Sequence, residues 1–285
     1  MRERFGKWPF YTQACRRDMD RLLRDGGALS AYRANASVGV GPADGSWAWR
    51  LERLAEKMFE IGHVIACSSG TTALMAALHA LNMPHGEVIV SPFTFSASAS
   101  AIRLMGHEPV FADIEPATFC LDPVRVAEVV GRLTRAIMPV DLFGGLADYD
   151  GLWKLGHPVI GDSCQAVGAL GKPTRHISPF WGGKGGVISA WSLNGGKQVP
   201  CGEGGAVVTN DESLARRARL YLNHAENFGA KWVGINGRIN EPTALIAYHG
   251  LKDVLKRNAE RQQLARRLVE RLRNESRIRT LPDPD

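Results

Sequence analysis

The chain reads as an α/β protein built on a mostly parallel central sheet flanked by helices. Short apolar runs of strand length recur along it, and they alternate with helical segments. The runs are apolar throughout rather than alternating with polar residues, as strands covered on both faces must be.

The N-terminal part, 1–46, is set apart as a helix-and-loop segment. Residues 16–23 have helical amphipathicity and stop at Gly26-Gly27, and 34–46, rich in Gly and small residues, reads as a loop. A second helix spans 47–59. The alternation then begins: strands at 64–67, 88–90, 109–111, 136–140, 159–161, 188–191 and 206–209, with helices at 72–81 and 96–105. This stretch, 47–241, reads as one large domain. From Pro242 the strands stop, and long helices are expected over 244–251 and 255–272, the start of a further unit over 242–285.

At 285 residues and 45% hydrophobic, the chain can bury a full core. Its net charge of +6 is mild and spread out, with arginines gathered in the first and last helical stretches. They have no interleaved aromatics, so the bland reading of solvated helix faces outweighs a nucleic-acid groove. A mild attraction for anionic substrates is the other reading. Five cysteines at irregular spacing, Cys15, Cys67, Cys120, Cys164 and Cys201, suit neither a disulfide framework nor a zinc site. Met1 to Phe10 has no apolar signal core, and no apolar run reaches membrane-spanning length. A cytoplasmic protein without a metal is expected.

In such folds functional groups gather at the carboxyl ends of strands. Ser68-Ser69-Gly70-Thr71-Thr72 lies between a strand and an apolar helix. Backbone N–H groups, hydroxyls and the helix dipole there suit a phosphate, although Ser and Thr are also ordinary N-caps. Asp162 follows a strand with apolar neighbours. It is either a turn cap or a buried carboxylate that wants a cationic partner, such as a protonated pyridine nitrogen. Lys197 follows Ser192-Leu193-Asn194-Gly195-Gly196 in a loop that returns through Gly202-Glu203-Gly204-Gly205. Alone it reads as a solvated lysine. Beside a cationic ring its pKa would fall and it would become an amine nucleophile. The order of the three motifs, phosphate turn, acid, loop lysine, is what a pyridoxal phosphate (PLP) site needs.

At these residues the chain resembles the DegT/DnrJ/EryC1/StrS family of sugar aminotransferases, of PLP fold type I. The similarity runs from Trp47 to Leu272. It includes Ser69 to Leu74, Val88 to Ala97, Pro109 to Ile114, the Asp-x-x-Gln of Asp162 to Gln165, Ser192 to Lys197, Gly202 to Asp211, Asn223 to Glu226 and Gly234 to Arg238. The resemblance implies that Lys197 forms the Schiff base and later moves the proton. Asp162 would pair with the pyridine nitrogen and Gln165 would lie near the ring oxygen. Phe95 would stack on the ring, although core packing reads the same in sequence. Gly70, Thr71 and Ser192 would hold the phosphate. Asn236 would reach the phosphate site of a neighbouring subunit, so a homodimer is implied. His224 and Arg238 are either substrate contacts or structural residues.

The implied reaction moves an amino group from an amino acid, glutamate or glutamine, to a keto-sugar, nucleotide-linked, in amino-sugar or polysaccharide biosynthesis. Two rivals stay open: a PLP-dependent sugar dehydratase, whose branch carries a histidine where this chain has Lys197, and a non-catalytic PLP-fold binding or regulatory protein. Two departures from the family stand out. Gly195-Gly196 replaces bulkier residues and is expected to loosen the lysine loop. The family's small C-terminal domain is expected to be incomplete, a truncated helical segment.

Overall fold

The computed structural model describes residues 11–35, 39–169, 188–225, 233–275 and 277. Met1 to Phe10, Glu226 and the last residues, on which some of the expectations above fall, lie outside them.

Nine strands and nine α-helices are ordered among the described residues. Helix α1 (Gln13–Arg24) is followed by β1 (Tyr32–Asn35) and β2 (Gly39–Pro42), then α2 (Trp47–Phe59). The expected loop over 34–46 is therefore corrected in part: β1 and β2 pair antiparallel, Tyr32 opposite Pro42. Glycine-rich strands carry little propensity of their own, and pairing rather than composition makes them strands.

The main body comprises β3 (His63–Cys67), α3 (Gly70–Leu81), β4 (Glu87–Val90), α4 (Ala97–Leu104), β5 (Glu108–Phe111), α5 (Pro123–Val129), β6 (Thr134–Met138), α6 (Tyr149–Trp153), β7 (Ile160–Asp162), β8 (Ile188–Ser192), β9 (Gly205–Thr209) and α7 (Glu212–Leu222). Two sheets, β5-β4-β6 and β3-β9-β8-β7, meet where Ile137 bridges Val159 and Val140 bridges Asp162, both in parallel. The strand order across the join is β5-β4-β6-β7-β8-β9-β3. Only β9 runs against the rest.

Alternate side chains along each strand point to opposite faces. Ile65, Val88, Val90, Ala136, Met138, Ile160 and Val207 pack with the buried residues of α3, α4 and α7. Val64, Ala66, Ile89, Ile137, Val159 and Val208 pack with those of α2, α6 and α8 (Glu241–Lys252). Both faces are covered, so the strands read as unbroken apolar runs.

Two buried acids tie the layers. Glu52, 1% exposed, takes two hydrogen bonds from Arg219, at 3.1 and 3.0 Å, and one from the Ala66 N–H at 2.9 Å. It thereby joins α2, α7 and β3. Glu241, at the start of α8, accepts from the Trp47 and Ala48 N–H groups at 2.5 and 3.2 Å. It caps donors that the first turn of α2 cannot satisfy itself. Helix α9 (Val254–Leu272) follows α8 and buries only Val254.

Candidate active site

The carboxyl ends of β3, β7 and β8 surround a cavity of about 250 Å³. Gly70, Thr71, Phe95, Asp162, Gln165, Ser192 and Lys197 all line it. These are residues the sequence singles out, brought together from four separate stretches of chain. Asn236 is not among them.

The phosphate turn is built from its own hydroxyls. Ser69 caps α3, its Oγ accepting from the Thr72 N–H at 3.1 Å and lying 2.8 Å from Thr72 Oγ1. Ser68 Oγ lies 3.1 Å from the same hydroxyl. Gly70 and Thr71, in the first turn of α3, line the cavity, and a helix start of this kind favours an anion. Gly70 must be a glycine: a Cβ there would stand 2.8 Å from Ser192 Cβ and 3.0 Å from Cys164 Sγ. Its bare backbone lets the helix end meet β8.

Asp162 closes β7 and is 4% exposed. Its Oδ2 accepts from Ser98 Oγ at 2.6 Å and its Oδ1 from the Cys164 N–H at 3.2 Å. Ser98, buried on α4, is itself 2.9 Å from Thr94 Oγ1. The reading of Asp162 as a turn cap holds only for the Cys164 contact. Its other oxygen is oriented from a different element. Among the described residues no cationic side chain comes within ion-pair distance of it.

Lys197 is half-buried in the loop between β8 and β9. The glycine pair before it does not leave that loop untied. Asn194 Oδ1 accepts from the Gly196 N–H at 3.1 Å, and Asn194 Nδ2 donates to Glu203 Oε1 at 2.8 Å. Backbone bonds Gly195 N–H to Gly202 O and Lys197 N–H to Asn194 O, both 2.9 Å, complete the turn. Cys164 feels both charged groups. Burial first, then Asp162, pushes its thiol well up, while Lys197 pulls it the other way. The thiol stays protonated and is not a nucleophile.

Phe95 is 71% exposed at the mouth, so core packing is excluded as its role. Gln165 Oε1 accepts from the Phe143 N–H at 3.3 Å, and its carbonyl oxygen accepts from the Gln198 amide. Asn236 is exposed and lies outside the cavity, its backbone paired with Asn223. His224 and Arg238 also stay outside it. Arg238 donates to Asn223 Oδ1 at 2.5 Å and bridges Cys67 through its backbone.

The cavity also enlists Thr94, Ser98, Cys164, Asn194 and Glu203, which sequence reasoning left without roles. Ser98 and Thr94 sit within the quoted 88–97 stretch or one residue past it. An alternating run of serines at a helix start was the available signal.

The DegT/DnrJ/EryC1/StrS aminotransferase family matches residues 36–285. The chain belongs to this family. UDP-2-acetamido-2-deoxy-3-oxo-D-glucuronate aminotransferase of Pseudomonas aeruginosa is 34% identical over 211 residues, covering 71% of this chain and 57% of the relative. The 3-oxo-glucose-6-phosphate:glutamate aminotransferase of Bacillus subtilis is 30% identical over 239 residues, 80% of this chain and 52% of the relative. A solved structure of ntda from Bacillus subtilis, with bound cofactor PMP, aligns with a TM-score of 0.79 at 26% identity, covering 98% of this chain and 64% of that one. The chain spans about half the length of the curated relatives it matches. The fold is that of fold type I PLP enzymes, and PLP is the family's cofactor.

The residues present fit that group. Gly70 leaves a cradle that any side chain would fill. A helix N-terminus and the Ser192 hydroxyl suit a phosphate. Asp162 is a buried carboxylate held by neutral donors alone, which a cationic ring nitrogen would complete. No cluster of metal-ligating side chains occurs among the described residues.

Proposed function

We propose that this chain is the cofactor-binding part of a PLP-dependent aminotransferase that moves an amino group from glutamate or glutamine to a nucleotide-linked keto-sugar. The observation that carries the reading is the convergence of Lys197, Asp162 and the start of α3 on one cavity. The first-turn N–H groups of α3, with Thr71 and Ser192, hold the phosphate. Phe95 and Gln165, which line the cavity, would lie against the cofactor ring and near its oxygen. Asp162, oriented by Ser98, keeps the ring nitrogen protonated. Bound there, the cofactor supplies an electron sink for the substrate carbon. Lys197 Nζ would be the amine that holds the cofactor and the group that gives and takes the proton at the substrate carbon. Asn236, exposed beside the phosphate turn, serves the site of a second copy, so the working unit is a homodimer.

The substrate class is supported by the keto-sugar and glutamate named for the two curated relatives. Lys197, where the dehydratase branch carries histidine, favours amino transfer. A cytoplasmic setting for amino-sugar or polysaccharide biosynthesis goes with this reading. Its support is that the five cysteines are free and that no helix among the described residues is long and apolar enough to cross a membrane.

The test is borohydride reduction of the protein incubated with PLP, followed by peptide mass spectrometry. The cofactor mass is expected on Lys197 and absent from Lys197→Ala. A fixed cofactor on any other lysine overturns the assignment. Glutamate or glutamine added beforehand should bleach the cofactor's lysine-bound absorbance. If no amino acid does so, the protein is a PLP-binding protein rather than a transaminase.

A further inference from the structure

Behind Asp162 lies a second buried acid that the reaction described above does not use. Asp141 is 0% exposed. Its Oδ2 accepts from Ser163 Oγ at 2.6 Å and from the Tyr149 hydroxyl at 2.8 Å, and its Oδ1 accepts from the Ala147 N–H at 3.0 Å. Its own N–H donates to the Asp162 carbonyl at 2.9 Å, and the Asp162 N–H donates to the Pro139 carbonyl at 2.9 Å. Ser163 immediately follows Asp162 and is the point where the chain leaves β7. The strand ladder therefore ends beside the residue whose carboxylate must be aimed. The bond from Ser163 to Asp141 carries the restraint one residue further.

Gly161 makes room for this arrangement. A Cβ there would stand 2.7 Å from the Tyr149 hydroxyl and 2.4 Å from Ser189 Oγ. The glycine before Asp162 thus admits the tyrosine that reaches Asp141. Burying an acid among apolar residues is costly, and three donors offset that cost here. Burial pushes the Asp141 carboxyl up to about 7, Asp162 pushes the same way, and Ser163, Ala147 and Tyr149 oppose them.

We propose that Asp141 is a positioning residue: through Ser163 it fixes the direction in which Asp162 presents its carboxylate to the cavity. The proposal rests on the PLP reading of that cavity. Two of the Asp141 hydrogen bonds meet on one oxygen, yet only that from Ser163 lies on the path to Asp162. Tyr149 anchors the acid to α6, and its hydroxyl also hydrogen-bonds the Ser163 side chain without itself reaching Asp162.

That asymmetry supplies the test. Ser163→Ala, Ser163→Thr and Tyr149→Phe are compared with the wild type for PLP affinity, by absorbance titration, and for melting temperature without cofactor. Ser163→Ala and Tyr149→Phe each remove buried hydrogen bonds, so both should lower the melting temperature. Ser163→Ala should weaken PLP by about tenfold, the worth of one hydrogen bond, and Tyr149→Phe, which leaves the bond from Ser163 to Asp141 in place, by clearly less. Ser163→Thr, which keeps the hydroxyl, should restore affinity. Equal losses of affinity in Ser163→Ala and Tyr149→Phe, or none in either, overturn the proposal. Wild-type protein that fixes no PLP at Lys197 sinks the functional reading and this one with it. Wild type that fixes PLP beside variants of unchanged affinity sinks this one alone.

Discussion

Removing Glu52 should destabilise the fold more than almost any other single change. In Glu52→Leu the Arg219 guanidinium loses both of its 3.1 and 3.0 Å contacts, and the Ala66 N–H loses its 2.9 Å acceptor. The Arg219 side chain is only 18% exposed, so water replaces little of what is lost. Breaking one side of a buried pair costs about 3–5 kcal/mol, because the other charge stays buried without compensation. The double variant Glu52→Leu/Arg219→Met removes that charge as well. It should recover most of the loss and keep a deficit of about 1–3 kcal/mol for the orphaned Ala66 N–H. Urea unfolding followed by tryptophan fluorescence measures both. Trp191 packs edge-on to Phe59 of α2 at 5.3 Å and so reports on the layer that Glu52 anchors. Molar salt should leave the difference unchanged, because a buried pair is poorly screened. A single-variant loss under about 1 kcal/mol would refute the argument. So would a double variant no more stable than the single.

Two further outcomes follow from the site. The folded-state pKa of Asp141, about 7, lies above its ordinary 3.8, so the folded protein holds that proton more firmly. Its contribution is greatest at the acid end, is lost as pH rises from about 4 to 7, and amounts to about 4 kcal/mol across that window. Asp141→Asn should flatten this part of the wild-type stability profile, measured by urea unfolding at pH 5 and pH 8, and an unchanged slope would count against it. Gly205→Ala would put a Cβ 2.4 Å from the Ser69 carbonyl oxygen, backbone that cannot step aside. PLP affinity should fall at least about tenfold as the turn is pushed off its cap, with about 1–3 kcal/mol of stability lost. Titration and melting check the two effects separately.

Much of the fold was legible because its strands are covered on both faces. Runs such as those in β3, β4 and β8 have no polar side to confuse the period, and the hydroxyl turn before α3 announces a helix start. The direction of β9 was not legible: Gly-Ala-Val-Val-Thr suits either orientation, and only its partners decide. The β1–β2 pair was hidden because glycine-rich strands owe their state to each other. Short helices α5 and α6 offer too few turns for a period to show. In the site, Lys197, Asp162 and Gly70 could be found from order along the chain, whereas Ser98 and Asp141 act across elements. Asp141 stands among apolar neighbours in Pro139-Val140-Asp141-Leu142-Phe143, the same signature that singled out Asp162. What the sequence could not reveal is that Ser163 joins the two.

The reversed strand has a consequence for how the molecule is made. Because β9 inserts between β8 and β3, the strand that leads into the phosphate turn finds its hydrogen-bonding neighbour about 140 residues later in the chain, Cys67 opposite Gly205. During synthesis β3 emerges early and waits, with an apolar strand unpaired, until β9 leaves the ribosome. Assembly of the cavity is then a late and cooperative event, closed by a long loop rather than by local contacts. Chains arrested before residue 205 would expose β3 and favour association with other chains over cofactor capture.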